Sequence, residues 1–250
     1  MPSRRDILKA AVALPLALAA RRARAFGDST KLVFAQVRTG GLWNPHPTAL
    51  RRFAWEIEKR TSIDPAVEPV PVSLADPDLF KAPFCVLTGD DAFPAFTDAE
   101  AGNLRRLLQY GGFLLVDDAS AHPGGPFDES VRRELRALFP ASPLARVPRE
   151  HVLYKTFYLL DGPSGRAQAA PFLEAIELGG RLAVVYSQND LLGAMARDSF
   201  GNWELDVVPG GEAQREQAFR LGINLAMYAL CLDYKEDQVH VPFIMKRRRI

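Results

Sequence analysis

Cysteine and histidine are scarce in this sequence. Its 250 residues include two cysteines and four histidines. No two histidines have the i, i+4 spacing that places two ligands on one helix face, so the sequence argues against a zinc site. Cys85 and Cys231 both lie in apolar runs, which is typical of buried cysteines. The sequence does not decide whether these two cysteines form a disulfide, because it does not give the distance between their Cα atoms.

The glycine motifs of the common α/β enzymes are also missing. No G-x-G-x-x-G turn follows the first predicted strand, so dinucleotide binding loses its main signal. Neither G-x-S-x-G nor G-x-C-x-G occurs. An α/β hydrolase or amidotransferase needs such a motif, because it forms the sharp turn that carries the nucleophile. Ser120 and His122 follow a strand without the flanking glycines, so a hydrolase built on this pair is disfavoured.

Apolar runs long enough to cross a membrane are absent too. The run at 10–20 has only 11 residues and contains Pro15, whereas a membrane-spanning helix needs about 20 residues. No second stretch suggests a span. We therefore expect no stable transmembrane segment once the N-terminal segment is removed.

This short apolar run instead fits an export signal. It follows SRRDILK at 3–9, and ARA at 23–25 fits the small-x-small rule for cleavage after Ala25. We predict that residues 1–25 are a twin-arginine signal peptide, with the twin-arginine translocase as a partner during export. The protein is therefore expected in the periplasm, and it is expected to fold before it crosses the membrane.

The mature chain lacks a strong excess of either charge. Removal of residues 1–25 takes away six Lys or Arg and one Asp, which changes the basic and acidic counts from 31 and 30 to 25 and 29. A nucleic-acid-binding protein should carry a basic face, so no nucleic-acid partner is expected. The cluster KRRR at 246–249 lies in a basic tail predicted at 236–250. A solvated tail is one interpretation, and contact with anionic lipid is the other.

Short apolar runs alternate with helical patterns along the mature chain. Continuous apolar runs are typical of strands buried inside a parallel sheet, whereas two prolines place the run at 67–72 at an edge. We predict one α/β domain at 26–235, with a doubly wound, mostly parallel sheet and helices on both faces, as in flavodoxin-like folds. An irregular excursion at 141–175 contains a β-like piece at 152–160. The predicted strands are 31–37, 67–72, 83–87, 112–116 and 182–186, and the predicted helices are 48–60, 97–110, 130–139 and 212–232.

Polar side chains follow several of the predicted strands at the point where each strand ends. In an open parallel sheet, ligands bind beyond the carboxyl ends of the strands, because the loops converge there. We therefore expect these side chains to gather around one pocket. The candidate ligand-binding residues are Arg38, Asp90, Asp117, Asp118, Asn189 and Asp190.

Carboxylates that converge on one edge repel one another unless something lies between them. A divalent cation is one solution, because Mg²⁺ and Ca²⁺ prefer oxygen ligands, which Asp90, Asp117 and Asp190 could supply together with Asn189. The other solution is internal. Arg38 would pair with one carboxylate while the remaining aspartates cap the helices that follow.

Four segments of this sequence resemble a known family. They are RTGGLWNP at 38–45, LADPDLFKAPFCVLTG at 74–89, GGFLLVDD at 111–118 and YSQNDL at 186–191. Together they are similar to the bacterial domain of unknown function 4159. The resemblance implies a fold like that of class I glutamine amidotransferases without their Cys and His machinery, in proteins that often carry export signals. It implies no reaction.

Functions of several classes follow from these residues, and carbohydrate-binding or purely structural roles are among them beside the two leading ones. The first is a non-catalytic module of the cell envelope that binds a ligand or a partner protein at the carboxyl edge of its sheet. The alternative is a metal-assisted hydrolase that uses the aspartates at the same edge. The absence of a nucleophile motif favours the first.

Overall fold

The computed structural model describes residues 31–247, with side chains described for 31–230. The predicted signal peptide and its cleavage site therefore lie outside the described residues, as does the side chain of Cys231. Cys85 is buried, with its Sγ 3.7 Å from Ala82 O, and burial raises the pKa of its thiol to about 12. This environment is that of a small apolar residue.

One mixed sheet of seven strands within residues 31–247 forms the centre of the domain. The strands are β1 (Phe34–Val37), β2 (Val70–Val72), β3 (Phe84–Gly89), β4 (Phe113–Asp118), β5 (Ala145–Arg146), β6 (Glu174–Leu178) and β7 (Arg181–Ser187). The order across the sheet is β2-β1-β3-β4-β7-β6-β5. Pairing is parallel from β2 to β7, and β6 and β5 extend one edge in antiparallel pairing.

In the part of the chain that the structure describes, four α-helices cover the sheet. They are α1 (Ala49–Arg60), α2 (Asp98–Gln109), α3 (Pro126–Leu138) and α4 (Gly211–Arg247), and short 3₁₀ helices lie at Pro77–Lys81, Val152–Lys155 and Gly193–Met195. None of the helices within the described part of the chain is long and apolar enough to cross a membrane. The α4 helix continues past the domain boundary expected after residue 235.

The two faces of the sheet bury separate cores. Successive strand residues point to opposite faces, so Phe113 and Leu115 of β4 pack in one core with residues of α1 and α4. Leu114 and Val116 pack in the other core, with residues of α2 and α3. This arrangement confirms the predicted doubly wound α/β fold, with β4 and β7 paired in its interior.

Local sequence signals explain several element boundaries. The Thr97 hydroxyl accepts from the Glu100 amide while the Glu100 carboxylate accepts from the Thr97 amide, which is the predicted capping box at the start of α2. The prolines of the second predicted strand are tolerated because β2 lies at an edge of the sheet. Helix α3 begins four residues earlier than predicted, with Pro126 in its first turn, where the missing amide costs nothing.

The predicted β-like piece at 152–160 is wrong. Residues Val152–Lys155 form a 3₁₀ helix, and Asn224 of α4 satisfies the main chain that follows. Its Oδ1 accepts from the amides of Phe157 and Tyr158 at 3.2 and 2.7 Å, and its Nδ2 donates to Leu153 O and Tyr158 O. A single buried side chain thus replaces the strand pairing that the apolar pattern suggested.

Candidate functional site

Asp117 is the penultimate residue of β4 and binds the loop that follows the neighbouring strand β7. Its Oδ1 accepts from the Leu191 amide and its Oδ2 from the Leu192 amide, both at 2.8 Å. The residue has no exposed surface. Because both oxygens accept main-chain hydrogen bonds, Asp117 joins two adjacent strand ends rather than facing solvent.

Asp190 connects three separate segments at the same edge. Its Oδ1 accepts from His46 Nε2 and from the Gly193 amide, each at 2.9 Å, and its Oδ2 forms a buried ion pair with Arg166. The backbone of Asp190 is left-handed, with φ of 51°. A Cβ on Gly193 would collide with the Asp190 carboxylate, so only glycine fits there.

The two buried carboxylates influence each other's environment. Burial and the charge of Asp190 raise the pKa of Asp117 to about 7, against the opposing effect of the two main-chain hydrogen bonds. Burial lowers the pKa of His46, but the hydrogen bond to Asp190 and its charge outweigh burial, so this pKa lies above its ordinary value. The pKa values of both groups are therefore higher in the folded protein than their ordinary values.

Asn189 fixes the segment at 166–170 against the end of β7. Its Oδ1 accepts from the Ala170 amide at 2.7 Å, and its Nδ2 donates to Ala170 O at 2.9 Å. The main chain continues this pairing, because Ala167 N donates to Asn189 O and Arg166 N donates to Asp190 O. Asn189 and Asp190 thus position the 166–170 segment along the carboxyl edge.

Asp118 lies on the opposite face of the sheet from Asp117. Its Oδ1 accepts from the Ser120 hydroxyl at 2.6 Å, whereas its buried Oδ2 has no hydrogen-bond partner within the described residues. Burial, with a smaller contribution from the charge of Asp128, raises its pKa. Asp128 in turn accepts from Tyr186 and Arg132. Asp118 therefore belongs to a second polar network and not to the Asp117 and Asp190 cluster.

Arg38 and Asp90 are exposed on the loops that follow β1 and β3. These two loops pack closely against each other, since a Cβ on Gly40 would touch Pro94 and one on Gly41 would touch Ala92 O. No ion pair of Arg38 is found within the described residues. The guanidinium beside the buried carboxylates belongs to Arg166 instead.

The structure brings three of the six predicted residues together. Asp117, Asn189 and Asp190 lie together, Asp118 faces away from them, and Arg38 and Asp90 lie on the surface. Across residues 31–230, no group of three or more His, Cys, Asp or Glu side chains is placed to hold a metal ion. The oxygens of Asp117 and Asp190 already accept hydrogen bonds from the protein, so the internal solution to their repulsion applies.

An open groove of about 830 Å³ lies on the far side of the 166–170 segment. Three parts of the chain form its walls. They are Arg149, residues 159–171, which belong to the irregular excursion, and the first turns of α4. The amide of Gln214 in α4 donates to Gly165 O at 2.8 Å and to Val208 O at 2.9 Å, which joins two of these walls. The groove residues are Arg149, Leu159, Asp161, Gly162, Pro163, Ser164, Gln168, Ala170, Pro171, Gly210, Ala213, Gln214, Gln217 and Arg220.

Sequence reasoning missed the partners of Asp190. His46 is 144 residues away from Asp190 in sequence and Arg166 is 24 residues away. Arg166 lies in the irregular segment, where no periodic pattern indicates which way a side chain points. His46 lies between two prolines in a loop, and only the folded topology brings that loop to the end of β7.

Comparison with known families identifies one that covers most of the chain. The sequence profile of a family described as a domain of unknown function, DUF4159, matches residues 33–230. This chain belongs to the DUF4159 family. The match runs from the start of β1 into α4, and thus includes every described strand and the loops that hold Asp117, Asn189 and Asp190. No protein with a curated description matches this DUF4159 chain, so its function is argued from the geometry of the site.

Proposed function

We propose that this protein is an exported, non-catalytic binding module of the bacterial cell envelope, and that its ligand or partner occupies the groove beside β7. One observation carries the proposal. The acidic and amide side chains at the carboxyl edge are buried and bonded to the protein, and the segment that they position forms a wall of the groove. Asn189 and Asp190 thus hold the 166–170 segment in place and do not themselves line the groove.

The groove has the dimensions and position of a ligand site. Its volume of about 830 Å³ falls within the roughly 300 to 1,000 Å³ that is typical of ligand pockets. One of its walls is the 166–170 segment, which Asn189 and Asp190 bind just after the carboxyl end of β7. The excursion that forms it is a long irregular segment, and such segments commonly carry function.

The side chains at this edge favour binding over catalysis. Asp117 and Asp190 have no exposed surface, and His46 directs Nε2 to Asp190. A general acid or base must reach the proton that it transfers. A metal-assisted hydrolase needs a set of ligands that these residues do not provide.

The proposal that the protein is exported is based on the sequence at 3–25. The twin-arginine translocase would be the partner at that stage, and an envelope protein or ligand would be the partner afterwards. The protein would reach the periplasm folded, with the groove already formed.

Site-specific crosslinking tests this function. A photo-crosslinking residue at position 168, where Gln168 lines the groove, would be compared with one at position 110. Tyr110 is 86% exposed and follows α2 at the amino edge of the sheet, so it is a matched surface control. In intact cells we expect a discrete crosslinked envelope species from position 168 and none from position 110. Equal products from both positions, or none from either, would contradict the proposal.

A further inference from the structure

The charged side chains that line the groove are Arg149, Arg220 and Asp161. Glu216 forms an ion pair with Arg220 and offsets its charge. The Arg220 guanidinium is held in place, because its Nε donates to Glu216 and its central carbon lies 5.2 Å from the centre of the Tyr158 ring. Arg149 is exposed and makes no ion pair within residues 31–230. Its donors are therefore available to an anionic group.

The uncharged lining supplies hydrogen bonds and apolar contact at the same time. Gln168 and Gln217 are both exposed and present side-chain amides, which can both donate to and accept from a peptide bond. Leu159 is 84% exposed and lies beside Pro163 and Pro171 in the lining. An apolar side chain of a ligand would cover this surface.

Two other ligand classes fit this lining less well. No aromatic side chain is among the groove residues, so a sugar ring or nucleobase would have no flat surface to stack on. A free inorganic anion would leave most of the space unfilled, since a water molecule takes about 30 Å³ in the liquid and the groove has about 830 Å³. A ligand that combines carboxylates, amides and side chains fits all three features.

We infer that the groove binds an extended acidic peptide. A ligand carboxylate pairs with Arg149, ligand amides bond to Gln168 and Gln217, and an apolar ligand side chain covers Leu159. This inference rests on the proposed function and specifies its ligand. It requires no covalent chemistry and no cofactor.

Fluorescence anisotropy with the purified full chain tests the inference. The probes are labelled hexapeptides of equal length, (Ala-Glu)₃, (Ala-Gln)₃ and (Ala-Lys)₃. We expect the Glu peptide to bind at least about tenfold more tightly than the Gln peptide, and the Lys peptide to bind most weakly. Each tenfold step corresponds to about 1.4 kcal/mol, which is close to the lower end of the contribution of one hydrogen bond to a charged group.

Two arginine variants connect this preference to the groove. Arg149→Gln should weaken binding of the Glu peptide by about tenfold. Arg136→Gln is the matched control, because Arg136 is an exposed arginine on α3 and is not among the groove residues. It should leave the affinity unchanged.

Three results would overturn the inference. They are equal affinity for the Glu and Gln peptides, equal losses in the two arginine variants, and binding of hexameric galacturonic acid as tight as that of the Glu peptide. The last result would assign the groove to an acidic sugar. Crosslinking from position 168 that persists despite any of these results would preserve the proposed function and reject only the peptide as its ligand.

Discussion

Asp190 illustrates how one buried side chain can organise an edge of a sheet. Its carboxylate contacts His46 from the loop after β1, Arg166 from the irregular segment, and the amide of Gly193. Breaking such a group of contacts leaves a buried charge without compensation, which costs more than losing one exposed ion pair. The residues at this edge therefore contribute to stability in a way that their exposed neighbours do not.

Substitution of Asp117 tests whether this buried carboxylate stabilises the fold more than an exposed one does. Asp117→Asn should lower the free energy of unfolding by about 1 kcal/mol or more, because the new amide donor would face the Leu191 or Leu192 amide and leave a buried group unpaired. Asp90→Asn is the control from the same predicted set. Asp90 is exposed, so its variant should stay within about 0.5 kcal/mol of the wild type. Urea unfolding measures both, and equal effects would contradict the assignment.

The pKa directions in this cluster predict how stability depends on pH. The pKa of Asp117 rises from 3.8 to about 7 on folding, and that of His46 also rises above its ordinary value. Between the unfolded and folded pKa values the folded state binds more protons, so the free energy of unfolding falls as pH rises through that window. The stabilisation is fully present below the unfolded pKa of each group.

Urea unfolding at about pH 5, 6.5 and 8 measures this dependence. We expect wild-type stability to decrease across the series, since the Asp117 window lies between about pH 4 and pH 7 and the His46 window extends above 6.5. Asp117→Asn should show a shallower decrease, because that position no longer titrates. Stability that increases from pH 5 to pH 8 would show that the carboxylate is not held as described.

At the scale of elements, β4 and β7 form the buried centre of the sheet. Leu115 pairs with Val185 in the parallel register, and both are fully buried. The antiparallel β6 and β5 then extend this side of the sheet, where the irregular segment and α4 form the groove. The element that departs from regular alternation is thus the element that supplies the proposed ligand surface.

Truncation in β4 tests the buried centre. Leu115→Ala should cost roughly 2 to 5 kcal/mol of unfolding free energy, because it leaves a cavity in a packed core. Tyr110→Ala provides the comparison, since the Tyr110 side chain is 86% exposed and its loss should cost little. A loss below about 1 kcal/mol for Leu115→Ala would argue against tight packing at this strand.

At the scale of the whole molecule, the proposed export signal precedes the domain in sequence. Residues 1–25 lie outside the described residues, and β1 begins at Phe34. A signal that is read only during export can therefore be changed without altering the fold.

Changing Arg4 and Arg5 to Lys tests the export proposal. The double variant should leave the precursor in the cytoplasm, because the translocase recognises the arginine pair. Cell fractionation measures the distribution, and thermal unfolding of the purified variant should match that of the wild type. Efficient export of the double-Lys form would remove the basis for the twin-arginine assignment.

The sequence by itself determined the alternation of elements. Buried parallel strands need continuous apolar runs, edge strands tolerate proline, and a capping box starts a helix, so local composition was enough to predict β3, β4, β7 and α2. The rule that strand ends converge also indicated where Asp117, Asn189 and Asp190 would lie. These features depend on neighbouring residues or on a general property of parallel sheets.

Only the tertiary structure decided which groups meet. Asp117 and Asp118 are adjacent in sequence yet lie on opposite faces of the sheet, because strand side chains alternate. Arg166 rather than Arg38 reaches Asp190, and Asn224 rather than a neighbouring strand satisfies the main chain after Val152–Lys155. Each contact joins segments that are distant along the chain. Which residues meet depends on how the loops pack, and local composition does not specify this packing.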